Sequence, residues 1–321
     1  MDRARIHIVI AYTSCSNFRP LAFSTGAEGD GNSILHKERE QCCFWACWAS
    51  ICASAIPDAY ARNAWEEACD VPLPLAPGQL RATECLSRLD YMDMNWNCLP
   101  RLQTSNPQRV TNPTSIMGEY MKLIGVWARI QILSRTSQEE PDVVWIEGLS
   151  AKAKQIYESS QFPPWSTGKD TIPKDHARIL GLHSLYHLCQ MVVLCPLISL
   201  FSGRQAKPGD LREQTRANSE VVTKHAIMHG QLIRDYIVGR GDISKLSPLV
   251  GFASFVATSI FLTLLRSGAR RHQDRQEGLV QTSHQLLVMI QDTIDILSIL
   301  QTFWEPLRPM VNMSPITIST F

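Results

Sequence analysis

Apolar residues return every third or fourth position along most of this chain, the spacing of helices that bury one face. Ile116, Tyr120, Leu123, Ile124, Trp127 and Ile130 mark one such stripe. Trp145, Leu149, Ala153 and Ile156 mark a second, in a helix predicted from Asp142 to about Ser160. Leu182, Leu185, Tyr186, Cys189, Val193 and Pro196 outline a third within Lys174 to Phe201, with His183 and His187 on one side. A last helix, Leu279 to Leu300, carries Leu286, Ile290, Ile294, Leu297 and Leu300. Pro100, Pro107 and Pro113 make Leu99 to Thr114 a loop, and the Gly239-Arg240-Gly241-Asp242 turn reads as a helix exit. No strands alternate with these helices, so the fold class is all-α, a large multi-helix domain.

Two segments depart from simple amphipathicity. In Glu38 to Ile56, Phe44, Trp48, Ile51, Cys52 and Ala55 share one face, while Trp45, Cys47 and Ile56 cover much of the rest. A helix apolar nearly all round is expected inside a large core. Leu246 to Leu265 runs twenty residues without a charge between Lys245 and the cluster Arg266, Arg270 and Arg271. Its length would let it span a membrane. Ser247, Pro248, Ser254, Thr258, Ser259 and Thr263 dilute its apolar character, which favours a buried central helix. The arginines then complement the negative end of that helix, and no interleaved aromatics suggest base stacking.

With 45% hydrophobic and 19% charged residues, the 321-residue chain has the composition of a globular protein. A net charge of +1 supplies no global pull toward nucleic acid or anionic lipid. The run from Ile6 to Ala11 is too short for a signal peptide and is interrupted by His7. Six of the ten cysteines fall within the first seventy residues, in an apolar setting that reads them as small buried hydrophobes. No Cys-x-x-Cys occurs, so structural zinc is not expected and the chain has no predicted cofactor.

Candidate chemistry is thin. His183 and His187 are four apart, as are His225 and His229, so each pair could share a helix face. Neither pair brackets the glutamate that a zinc protease uses as general base. The four are weak metal candidates against the reading as ordinary helix histidines. No nucleophile elbow or phosphate-binding glycine loop is present. Glu139-Glu140 and the pair Asp292 and Asp295 read as solvated surface. No catalytic residue is assigned, and the chain is not expected to be an enzyme.

The order of several segments resembles one family. A charged Glu38-Arg39-Glu40 turn leads into Phe44-Trp45-x-x-Trp48, and Val71-Pro72-Leu73-Pro74 follows. Then come Leu182-His183-Ser184-Leu185-Tyr186-His187, Ser247-Pro248-x-x-Gly251-Phe252 and a closing Phe303-Trp304. This series resembles the regulatory, or middle homology, domain of fungal zinc-cluster (Zn2Cys6-type) transcription factors. Cys195 stands where that family often has an arginine. The resemblance implies a regulatory domain over 37–310, an unstructured leader over 1–36 and a tail over 311–321. It makes Phe44, Trp45, Trp48, Leu182, His183, Tyr186, His187, Ser247, Pro248, Gly251, Phe252, Phe303 and Trp304 motif residues of the core.

By that resemblance the chain regulates RNA polymerase II transcription in the nucleus, through co-regulator proteins or a small-molecule effector. DNA binding and zinc belong to the family's six-cysteine cluster. This chain lacks that pattern and is expected to be an N-terminally truncated member with no DNA-binding residues of its own. The last stripe leaves room for a homodimer, and no membrane partner is expected. The alternative is a membrane-associated helical protein anchored by Leu246 to Leu265.

Overall fold

Helix dominates because nearly every segment with a 3.6-residue apolar period is long enough to bury its stripe against neighbours. The computed structural model describes residues 31–54, 58–69, 71–74, 90–100, 115–136, 142–160, 175–202, 212–271 and 277–310, with Ala11 and Thr13. These form α1 (Gly31–Ser54), α2 (Asp58–Ala68), a hairpin of β1 (Asp90–Met92) and β2 (Cys98–Pro100), and α3 (Ile116–Thr136). Then follow α4 (Val143–Ser159), α5 (His176–Leu194), α6 (Ser199–Ser202), α7 (Arg212–Val238), α8 (Pro248–Arg271) and α9 (Glu277–Leu300). The all-α expectation holds among the described residues, with the one hairpin added. Most of the 1–36 leader, the 311–321 tail, Ala55 and Ile56 lie outside them, and α1 already begins at Gly31.

The chain divides into two units: 1–136 with 155–162, and 137–154 with 163–321. The cut passes through α4.

In the first unit α1 packs on α2 and α3. Its buried face is Gln41, Phe44, Trp45, Trp48, Ile51 and Cys52, whereas Cys42, Cys43 and Ala46 are exposed. The expectation of a helix buried all round is therefore corrected. Small residues at the outward positions hide the amphipathicity, because Cys and Ala are apolar on any scale yet cost little when solvated. The end of α1 is capped in trans by α3. Trp127 Nε1 donates to Ala53 O at 3.1 Å, Gln131 Nε2 to Cys52 O at 2.9 Å and an Arg135 guanidinium nitrogen to Ser54 O at 3.0 Å. These are the carbonyls that a helix terminus leaves without partners.

The second unit is a bundle in which α8 contacts α5, α7 and α9. Leu180, Leu232, Ile233, Tyr236, Leu246, Val250, Ile296, Leu300 and Leu307 form one core cluster in it. The single helix expected within Lys174 to Phe201 is broken at Cys195–Leu197, a 3₁₀ turn. Pro196 cannot donate to the helical ladder, which tightens the chain there. In α4 the inner residues are Ile146, Leu149, Ala153 and Ile156. Trp145 is 37% exposed, so its expected inner position is corrected by one residue to Ile146.

Close approach sets one position in α8. A Cβ on Gly251 would stand 2.6 Å from Leu307 Cδ1 and 3.3 Å from Leu300 Cδ1. Gly251→Val should cost roughly 2 kcal/mol, since the leucines must shift and a branched residue is stiff in a helix. An unchanged urea midpoint would mean that the Leu307 contact yields freely.

Candidate functional site

Two buried constellations stand out, one in each unit. In the second unit, α5 and α7 carry the four histidines at i, i+4 spacing, which puts each pair on one face. His187 and His225 meet with their Nδ1 atoms 2.8 Å apart, so in the neutral pair one ring donates and the other accepts. Tyr186 stands edge-on to His225, with ring centroids 5.4 Å apart. His229 Nε2 lies 3.1 Å from Ser254 Oγ, and that hydroxyl donates to Val250 O at 2.9 Å. The serine proton is thus committed, which makes His229 Nε2 the donor and leaves Nδ1 as a bare lone pair with no hydrogen-bond partner.

Burial governs the charge of this cluster. It lowers His183 and His225 to about 4 and His229 to about 3. His187 is also held well below its ordinary value by burial, with His225, His229 and His183 adding like-charge opposition. All four are neutral imidazoles at pH 7. The polar seam continues through Thr258 Oγ1, 2.7 Å from Thr293 Oγ1. Ser150 and Gln190 add a reciprocal pair, Oγ to Oε1 at 2.7 Å and Nε2 to the Ser150 carbonyl at 2.9 Å. Among the described residues no three His, Cys, Asp or Glu side chains converge as a metal site would require. The 2.8 Å approach of His187 and His225 is a ring-to-ring hydrogen bond.

The first unit is built around tryptophan. Trp48 and Trp65 both stack on Trp96, with centroids 5.6 and 5.5 Å away and interplanar angles of 24° and 8°. Trp45 meets Trp48 edge-on at 5.0 Å, and Arg129 lies 4.6 Å above Trp65. Each indole N–H has an acceptor. Trp45 donates to Pro72 O at 2.8 Å, Trp48 to Ala64 O at 2.9 Å, Trp65 to Gly125 O at 2.9 Å and Trp96 to Lys122 O at 2.8 Å. Gln41 Nε2 adds bonds to Pro72 O at 2.5 Å and Leu73 O at 3.2 Å. The Val71-Pro72-Leu73-Pro74 segment is thereby tied to the tryptophan helix. Lys122 and Glu119 form a buried ion pair of 2.7 Å beside this core.

The motif residues distribute unevenly. Phe44, Trp45, Trp48, Leu182, His183, Tyr186 and His187 are buried, as is Gly251. Ser247, Pro248 and Phe252 are half-buried. Phe303 and Trp304 are 54% and 40% exposed, which corrects their expected place in the core. The chain turns out of α9 after Leu300, through Gln301–Phe303, so the α9 stripe ends before them. Of the predicted stripe, Ile290, Leu297 and Leu300 are buried and Leu286 and Ile294 half-buried, with Thr293 and Ile296 buried beside them. The cysteine expectation divides likewise. Cys52, Cys69 and Cys189 are buried, and Cys42, Cys43 and Cys98 are exposed.

Sequence reasoning missed Trp96, Trp65, Gly125, Gln41 and Ser254. Only Trp96 had a usable signal, its place between Asn95 and Asn97 three residues after Asp93, a turn-forming context. No family model, no curated protein and no solved structure matches this chain.

Proposed function

We propose that this chain is a regulatory domain of the kind found in fungal zinc-cluster transcription factors, acting in the nucleus through protein or small-ligand contacts. The observation that carries the proposal is local. Two segments on which the resemblance rests, Phe44-Trp45-x-x-Trp48 and Val71-Pro72-Leu73-Pro74, are distant in sequence yet joined by the Trp45 and Gln41 hydrogen bonds. Fused between a heterologous DNA-binding domain and an activation segment, the chain should alter reporter output relative to the fusion without it. Unchanged output from a soluble, well-expressed fusion would count against the proposal. The purified chain should enrich no sequence from a random duplex pool, and any consensus would overturn that part.

A second reading has its own observation. His176–Leu197 and Pro248–Ser267 are both long and apolar enough to cross a bilayer. Most of the first is buried within its unit, as core helices are. Carbonate extraction separates the readings, since a spanning helix stays with the membrane pellet.

A further inference from the structure

The outward face of α1 carries chemistry that its tryptophan face does not use. Phe44, Trp45 and Trp48 are buried in the first unit. Cys43 is exposed and Cys47 half-buried, one helical turn apart within Gly31–Ser54. Helical side chains lean toward the N-terminus, so the Cys47 thiol tilts over the turn that Cys43 begins. Cys42 is also exposed, but at 3.6 residues per turn it lies about 100° from Cys43 and about 140° from Cys47 around the axis. The pair is therefore Cys43 with Cys47, and Cys42 stands outside it.

Spacing decides what such a pair can do. Residues four apart on a helix hold their Cβ atoms about 5–6 Å apart, whereas a disulfide draws them to about 3.8 Å. Closing a disulfide here would distort the turn, and that turn is held from behind. Trp45 Nε1 donates to Pro72 O at 2.8 Å and Trp48 Nε1 to Ala64 O at 2.9 Å, with both rings buried. One bridging atom suits the gap better, since two bonds of about 2.3 Å to sulfur span it with the helix intact. Two thiols supply half the ligands of a structural zinc site, so the pair favours a soft atom that needs fewer.

We propose that Cys43 and Cys47 form a dithiol site for a thiophilic metalloid of the trivalent-arsenic class, which bridges one turn of α1. Phenylarsine oxide is the probe. Both S–H bonds break, two As–S bonds form and the arsenic-bound oxygen leaves as water, so no oxidant or reductant is needed. The site goes beyond the regulatory reading and is tested on the purified chain without any reporter.

The wild-type chain should take up one phenylarsenic group that excess glutathione leaves in place and dithiothreitol removes. Peptide mass mapping should locate it across Cys43 and Cys47, a result that depends on no variant. Cys43→Ser and Cys47→Ser should each weaken the binding by at least about 100-fold, the advantage of a second linked ligand, while Cys42→Ser leaves it unchanged. Adducts that glutathione strips, or that map to another pair of cysteines, would overturn the proposal. Diamide should leave Cys43 and Cys47 unbridged in the folded chain. A disulfide between them would also overturn it, because the thiols would then not be held at helical spacing.

Discussion

Acidification from pH 7 to pH 5.5 should strip most of the stability from the second unit while the first stays folded. The sign follows from the histidines. His183, His225 and His229 titrate near 4, 4 and 3 in the folded chain, against about 6.5 when unfolded. Below pH 6.5 the unfolded state therefore binds more protons, and stability falls as pH falls toward the folded values. Three such groups remove about 4 kcal/mol between pH 7 and 5.5, a large part of a domain's usual margin. His187 acts in the same direction. A first proton on the His187–His225 pair still leaves one Nδ1 lone pair to accept in their 2.8 Å contact and only a second removes it, whereas one on His229 Nδ1 would be a buried donor with no acceptor.

Asp292 opposes the trend slightly, because burial raises its carboxyl and acid relieves that cost. Urea unfolding followed by peptide-level hydrogen exchange reports the two units separately. Protection of α5 and α7 that stays constant from pH 7 to 5.5, after correction for intrinsic exchange, would refute the account. His225→Asn should lower the measured pH slope by about one proton, roughly 1.4 kcal/mol per pH unit.

The second large effect comes from a single methyl. Gly125→Ala places a Cβ into the indole edge of Trp96, overlapping ring carbons and standing 2.9 Å from Nε1. The ring is held in place, because it is fully buried, stacks on Trp48 and Trp65, and has its N–H committed to Lys122 O. The hairpin must withdraw, and the loss approaches that of truncating a buried tryptophan, about 3 kcal/mol. Guanidinium denaturation with tryptophan emission is the measurement. A native-like blue emission maximum and an unchanged midpoint would show that α3 moves instead.

The helices were legible because their stripes are long. Leu123, Ile124, Trp127 and Ile130 are buried as their spacing predicts, and α4 and α9 begin and end within a few residues of expectation. Errors arose where apolar character and burial part company. Cys42 and Cys43 are apolar and exposed, and Phe303 and Trp304 are large and exposed. Glu119 and Lys122 err in the opposite sense, charged and buried, because they neutralise one another at one helical turn.

By itself the sequence determined the all-α class, the inward faces of the long helices and the i, i+4 pairing of the histidines, since each follows from local periodicity. Tertiary structure alone decided that His187 meets His225, that Ser254 sets the His229 tautomer, and that Trp96 stacks on Trp48 and Trp65 against Gly125. Those contacts join residues from 25 to 48 positions apart. No local period encodes such meetings, because they depend on which helices pack together and on how closely a backbone without a side chain lets a ring approach.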